Sequence, residues 1–167
     1  MPVVETTIIQ GYDDATKARL LKGMTRVVRS VMAAPPEGVV TILRELAPSS
    51  YARGGVSRVP GPPLPPATEV AAALAEALAK DDAEAAGKLV AEGFVAIDAQ
   101  GRRLGLAEAV KVSAGLGKSY EQFVEALTDD GCLVFGHGTV KGGARFIDRF
   151  RLAGPVISEQ VSWGVPE

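Results

Sequence analysis

The chain has 167 residues, of which 47% are apolar and 23% charged, a composition that excludes a wholly disordered chain. Eighteen Lys and Arg against 20 Asp and Glu leave a net charge of −2, so a general nucleic-acid binder is not expected. One cysteine, Cys132, excludes an internal disulfide framework, and one histidine, His137, leaves little for a His-rich metal centre. No apolar run approaches the roughly 20 residues of a membrane span, and no basic start is followed by a long apolar stretch. The expected location is the cytoplasm, with no membrane partner.

The first segment reads β-α-β. Val3–Ile9 is rich in β-branched residues and predicts a strand. Gly11 supplies a turn and Asp13 a helix N-cap. Leu20, Leu21, Met24, Val27, Val28 and Val31 follow at helical spacing, until Pro35 and Pro36 stop the helix. Residues 39–46 read as a second strand, and Tyr51 with Gly54 and Gly55 suggest a terminal hairpin or loop. One crossover between two strands implies parallel pairing. So small a unit cannot cover both faces of its sheet, and a partner subunit is expected.

Residues 59–68 contain Pro60, Pro62, Pro63, Pro65 and Pro66, which bar both a helix and a central strand. Charge shifts across this segment. Residues 1–58 carry 8 Lys and Arg against 5 Asp and Glu, giving +3, and residues 67–167 carry 10 against 15, giving −5. The expected division is a domain over 1–58, a proline-rich linker over 59–67 and a second domain over 68–167.

The second domain opens with an alanine-rich helix capped by Thr68, with Val70, Leu74 and Leu78 along one side. Asp81 or Asp82 caps a second helix running to about Ala91. A strand over 94–98 and a third helix over Leu106–Leu116 follow. Four strands over 120–127, 133–141, 145–152 and Val156–Trp163 are separated by turns at Asp129-Asp130-Gly131, Gly142-Gly143 and Gly154-Pro155. Helices followed by an antiparallel meander define an α+β domain with helices against one sheet face.

Strict alternation puts Phe146, Asp148 and Phe150 on one face, and Ile157, Glu159, Val161 and Trp163 together on another strand. Asp148 and Glu159 are thus expected to point into an apolar cavity bounded by Phe146, Phe150, Ile157 and Trp163, with His137 near its mouth. A desolvated carboxylate there would suit acid–base chemistry. The competing structural reading has Asp148 and His137 satisfying each other or pairing with an arginine, Trp163 packing in a core or interface, and Cys132 chemically idle. Gly136-His137-Gly138 and Gly142-Gly143 make no phosphate loop, and no nucleotide, flavin or metal site is expected.

Residues 1–55 resemble the 4-oxalocrotonate tautomerase family. The resemblance rests on Pro2 directly after Met1, the first strand, Gly11 beyond it, a helix of fitting length, and Glu45, Leu46, Ala47, Tyr51, Gly54 and Gly55 in the family's order. It implies catalysis by the secondary amine of Pro2 after loss of Met1. An α-amine titrates near neutrality and can accept a carbon-bound proton. Members acting on dicarboxylic substrates carry two arginines where this chain has Tyr12 and Val40. Arg44, on the Val40 face, and Arg53 are the replacement candidates for holding a carboxylate, and Tyr51 matches the family's active-site aromatic. The resemblance also implies a homo-oligomer, a hexamer or another dimer-based assembly.

Residues 67–167 resemble the SnoaL-like branch of the NTF2-like superfamily, which implies a cone-shaped α+β barrel. The shared features are three helices before a meander, a His-Gly pair, a strand with Asp between apolar residues, and a last strand with acidic and tryptophan positions. Three functions follow. The leading one is cofactor-independent keto–enol or double-bond isomerisation of a small carbonyl compound at Pro2. The second places a small-molecule isomerase, cyclase or binding site in the cone, with Asp148 and His137 acting. The third is non-enzymatic binding and assembly.

Overall fold

The computed structural model describes residues 1–129 and 131–164. The chain divides into two compact units, Met1–Pro63 and Leu64–Glu167, and the division falls inside the proline-rich segment.

In the first unit, β1 (Val3–Ile9) and β2 (Val40–Leu46) pair in parallel, with Val3 opposite Val40 and Ile9 opposite Leu46. The crossover is α1 (Asp14–Val31), whose first turn is closed by the Asp13 carboxylate accepting from the Thr16 amide at 2.7 Å. The helix covers one sheet face: the Thr6 hydroxyl lies 2.9 Å from Met24 Sδ, and Lys17 reaches Glu45 at 3.3 Å. The opposite face, with Val3, Glu5, Ile42, Arg44 and Leu46, stands open. No side chain of residues 1–66 is fully buried. Leu20, Val27 and Val31 of the helix are exposed as well. A short hairpin of β3 (Ala52–Arg53) and β4 (Val56–Ser57) turns through Gly54-Gly55.

The second unit carries the whole fully buried core. Helix α2 (Ala67–Ala79) buries Val70, Leu74 and Leu78. It starts at Ala67 behind Pro66, with no side-chain cap, so Thr68 is not its cap. The second helix is a single turn, α3 (Ala83–Gly87), capped by Asp82. It ends well short of Ala91 because residues 90–97 are drawn into the sheet as β5 (Val90–Ile97), a longer strand than expected. A two-residue strand, β6 (Arg103–Leu104), was not visible in the sequence. After α4 (Leu106–Leu116) come β7 (Ser119–Thr128), β8 (Gly131–Thr139), β9 (Arg145–Ala153) and β10 (Val156–Trp163).

The six strands lie in the order β6-β5-β10-β9-β8-β7. All neighbours are antiparallel except β5 with β10, which closes the meander back onto the first strand of the unit. The sheet is open, with β6 and β7 at its edges. No helix among the described residues is long and apolar enough to cross a membrane.

Candidate functional site

In the first unit, Pro2 sits directly before β1. Its carbonyl accepts the Val40 amide at 3.0 Å, so Pro2 and Val40 are brought together at the start of the parallel pair. Parallel strands bring two starts side by side, which is why a residue 38 positions away becomes a neighbour. Arg44 is further along the same open face, where its guanidinium meets Glu5 at 3.1 Å. Both groups are exposed, so this pair is weak and the arginine is easily released to another anion. Tyr51 follows a 3₁₀ turn over Pro48–Ser50 and is 38% exposed, and Arg53 is exposed in the hairpin. Strand β2 runs away from Pro2, so Leu46 lies about 20 Å beyond Val40.

In the second unit, Asp148 is fully buried on the inner sheet face, in the orientation its alternation with Phe146 and Phe150 implies. Its surroundings differ from the expected ones. The Lys118 ammonium donates to both carboxylate oxygens, at 2.8 and 2.7 Å, and to Ser162 Oγ at 3.1 Å. The Tyr120 hydroxyl donates at 2.5 Å and Gln160 Nε2 at 3.0 Å. Burial, then the Asp148 charge and hydrogen bond, push the Tyr120 phenol well above its ordinary pKa, so it stays a neutral donor. The two Asp148 oxygens are thus occupied by four hydrogen bonds from three side chains.

Two glycines make this arrangement possible. A Cβ on Gly138 would lie 1.9 Å from the Ser119 carbonyl oxygen. One on Gly136 would meet the rings of Phe123 and Tyr120 at 2.7 and 2.9 Å. The two absent side chains let β7 lie close, and Tyr120 lands over the space beside Asp148. The Gly-His-Gly motif therefore serves packing.

His137 does not join Asp148. It lies on the outer face with Leu133, Phe135 and Thr139, its Nε2 3.3 Å from Gln122 Oε1 and its Nδ1 3.6 Å from Glu121. Its strand alternates as expected, but Val134, Gly136 and Gly138 take the inside.

Glu159 and Trp163 are also on the outside. A register shift between Ile157 and Glu159 breaks the alternation of β10. Ile157 faces in, but beyond the bulge Gln160 and Ser162 do, opposite Phe150 and Asp148. Glu159 instead pairs with Arg149, and Trp163 is 45% exposed with the Arg149 guanidinium 5.9 Å from its ring centre. The expected cavity of Asp148, Glu159 and Trp163 therefore does not form.

A different cavity of about 460 Å³ lies between α4, the β5–β6 hairpin and β10. Ala96, Leu104, Val112 and Leu116 give it an apolar wall, and Ser113, Lys118, Gln160 and Ser162 supply polar groups. Near its mouth, Asp98 closes the hairpin. Burial works against its charged form, but the amide and guanidinium of Arg102, the latter at 2.7 Å, hold the carboxyl below its usual range. Lys118, Tyr120, Gln160 and Ser162 were all missed by sequence reasoning. The one available signal was that an aspartate facing inward on a strand requires a cation. Burial pushes the Cys132 thiol up to about 11, with Glu125 adding to the shift, so it is a weak nucleophile.

Comparison with known proteins finds likenesses for each unit. A family model described as tautomerase enzyme matches residues 2–59. The chain is 36% identical to a solved apo unfused 4-OT, over 34% of this chain and 97% of that one, with a TM-score of 0.32. It is 28% identical to a 4-oxalocrotonate tautomerase homologue, over 36% of this chain and all of the other, at a TM-score of 0.33. The chain is also similar to an NTF2-like protein of unknown function from Cytophaga hutchinsonii. That likeness is 14% identity over 57% of this chain and 86% of the other, at a TM-score of 0.46. No curated protein matches the chain. The α+β description of the second unit rests on its own helices and strand order. Residues 2–59 of the chain belong to the tautomerase family.

Proposed function

We propose that the protein is a cofactor-independent isomerase that shifts a proton, keto–enol or across a double bond, on a small carbonyl compound, with Pro2 as the acid–base group. The observation that carries this reading is the tautomerase family membership of a segment that begins at Pro2. Removal of Met1 would free a secondary amine at the start of β1. The amine would take a proton from a carbon beside a carbonyl and return it at a conjugated position. Val40, beside Pro2, contributes apolar surroundings that favour the neutral amine. Arg44 or Arg53 would hold a single carboxylate, and Tyr51, from the same or an adjacent subunit, would wall the site. Without an arginine at Tyr12 or Val40, a monoanionic or largely apolar substrate fits better than a dianion.

Assembly belongs to the same reading. The first unit leaves one sheet face open and buries no side chain of its own. The second exposes Val124, Ile147 and Trp163 on its outer sheet face. A homo-oligomer, a hexamer or another dimer-based assembly, would cover such surfaces. The expected setting is the cytoplasm.

The test is turnover of phenylenolpyruvate and a 2-hydroxydienoate by the wild-type chain and by Pro2→Ala. A partial loss is expected, because Ala at position 2 still presents a primary α-amine once Met1 is removed, whereas blocking that nitrogen as an amide removes the base and should cost about 10²–10⁴-fold. Unchanged turnover would refute the reading.

The second reading, a small-molecule isomerase, cyclase or binding site in the second unit, is favoured by the cavity beside Lys118, Gln160 and Ser162. In it Asp148 positions other groups, because its oxygens are already occupied by donors.

A further inference from the structure

Helix α1 segregates its charge. From Ala15 to Pro36 the chain has five basic residues, Lys17, Arg19, Lys22, Arg26 and Arg29, and no acidic one. Lys17 turns back to Asp14 and Glu45, at 2.8 and 3.3 Å. The other four follow at spacings of three, four and three residues, which puts them in one exposed row. At the helical rise the row is about 15 Å long. Arg29 donates from Nε to the Ala34 carbonyl at 3.3 Å. Among the described residues, no carboxylate pairs with Lys22, Arg26 or Arg29.

A second exposed row runs along the same helix. Leu20, Val27 and Val31 share one side, and Met32 continues it past the helix end. Val31 is 80% exposed. The packed side of α1, with Met24 against Thr6, lies in another direction, so the first unit covers neither row. Gly23 and Ser30 separate the two. Gly23 is four residues from both Arg19 and Val27, and a Cβ there would meet nothing within 4 Å. With small residues between them, both rows can touch one flat surface at once.

The two rows together select that surface. An acidic polymer would use the cations and leave the aliphatic row in water. A single-stranded nucleic acid would also call for aromatic platforms under its bases, and α1 has no aromatic residue. An anionic bilayer uses both rows: headgroups attract the basic side chains, and the acyl boundary receives the aliphatic ones. Residues 1–58 carry +3 in a chain of −2, so the attraction is local to this unit. No membrane span is involved, since the helix would lie along the surface.

We infer that the outward side of α1 is a docking surface for an anionic phospholipid bilayer, with Lys22, Arg26 and Arg29 among the headgroups and Val27, Val31 and Met32 entering the acyl boundary. The inference goes beyond the chemistry at Pro2 and does not depend on it.

The experiment is cosedimentation of the full chain with vesicles of phosphatidylcholine, alone or mixed with phosphatidylglycerol. Binding to the anionic vesicles is expected to be at least about tenfold tighter than to the neutral ones, and to weaken as salt is added. Lys22→Glu with Arg26→Glu should weaken it by about tenfold or more. Val31→Asp should weaken it by about threefold or more while leaving every cation in place. Equal binding to the two vesicles, no binding to either, or anionic binding unchanged by the double charge reversal or by Val31→Asp would overturn the inference. So would tighter binding of poly-uridylate than of anionic vesicles. A lower assembly state of the double variant without vesicles would also overturn it, by making this side of α1 an interface between copies.

Discussion

Lys118 and Asp148, thirty residues apart, meet in the interior of the second unit with Nζ 2.7 Å from Oδ2, and neither side chain is more than 4% exposed. The ammonium lies 4.8 Å from the centre of the Phe146 ring and is shared with Ser162. The pair joins the start of β7, the middle of β9 and the end of β10.

Removing one charge from such a pair strands the other. Lys118→Met is expected to destabilise the second unit by about 3–5 kcal/mol. Replacing both groups, as Lys118→Met with Asp148→Leu, should cost less than the lysine change alone, because no charge is then buried without a partner. Urea unfolding of the two variants measures this. A double variant as unstable as Lys118→Met or more so would contradict the account.

Asp98 predicts a pH dependence. Its carboxyl is held below the usual range by Arg102 despite burial, so the folded pKa is below the unfolded value of about 3.9. The resulting stability is complete above that unfolded value and is lost as pH falls through the folded pKa. Asp98→Asn should therefore lower stability at pH 7 and flatten its decline below pH 4. Unfolding curves between pH 2 and 7 test the sign, and an undiminished acid slope in the variant would contradict it.

Much of the fold is legible in the sequence because its signals are local. The β-branched run of Val3–Ile9, Asp13 as a cap, and Gly154-Pro155 as a turn each act through neighbouring residues. The inner site was not legible because β10 carries a bulge. Val161 and Trp163 look like the inward pair, and Gln160 and Ser162 like the outward one. The bulge after Ile157 reverses both. Hydrophobic alternation assumes that the apolar face is the inner one. Here the outer face is apolar too, and the inner face holds a polar cluster, so the rule points the wrong way. His137 misleads for the same reason, on a strand whose inner positions are glycines and valine.

The open sheet faces lead to a prediction about assembly. Ile42→Glu on the open face of the first unit should lower the assembly state seen by sedimentation, and Ile147→Glu on the outer face of the second unit should do the same for contacts made there. A wild-type chain that sediments as a monomer at all concentrations would contradict the expectation of a homo-oligomer.

The central claim is that a free Pro2 amine performs the chemistry, and processing at Met1 tests it most directly. Inserting an arginine between Met1 and Pro2 keeps the methionine and turns the Pro2 nitrogen into an amide, which has no usable basicity. Tautomerase turnover of phenylenolpyruvate is then compared between this form and wild-type chain whose intact mass shows Met1 removed. Loss of at least about 10²-fold in the blocked form is the predicted result. Equal turnover in the two forms would contradict the account.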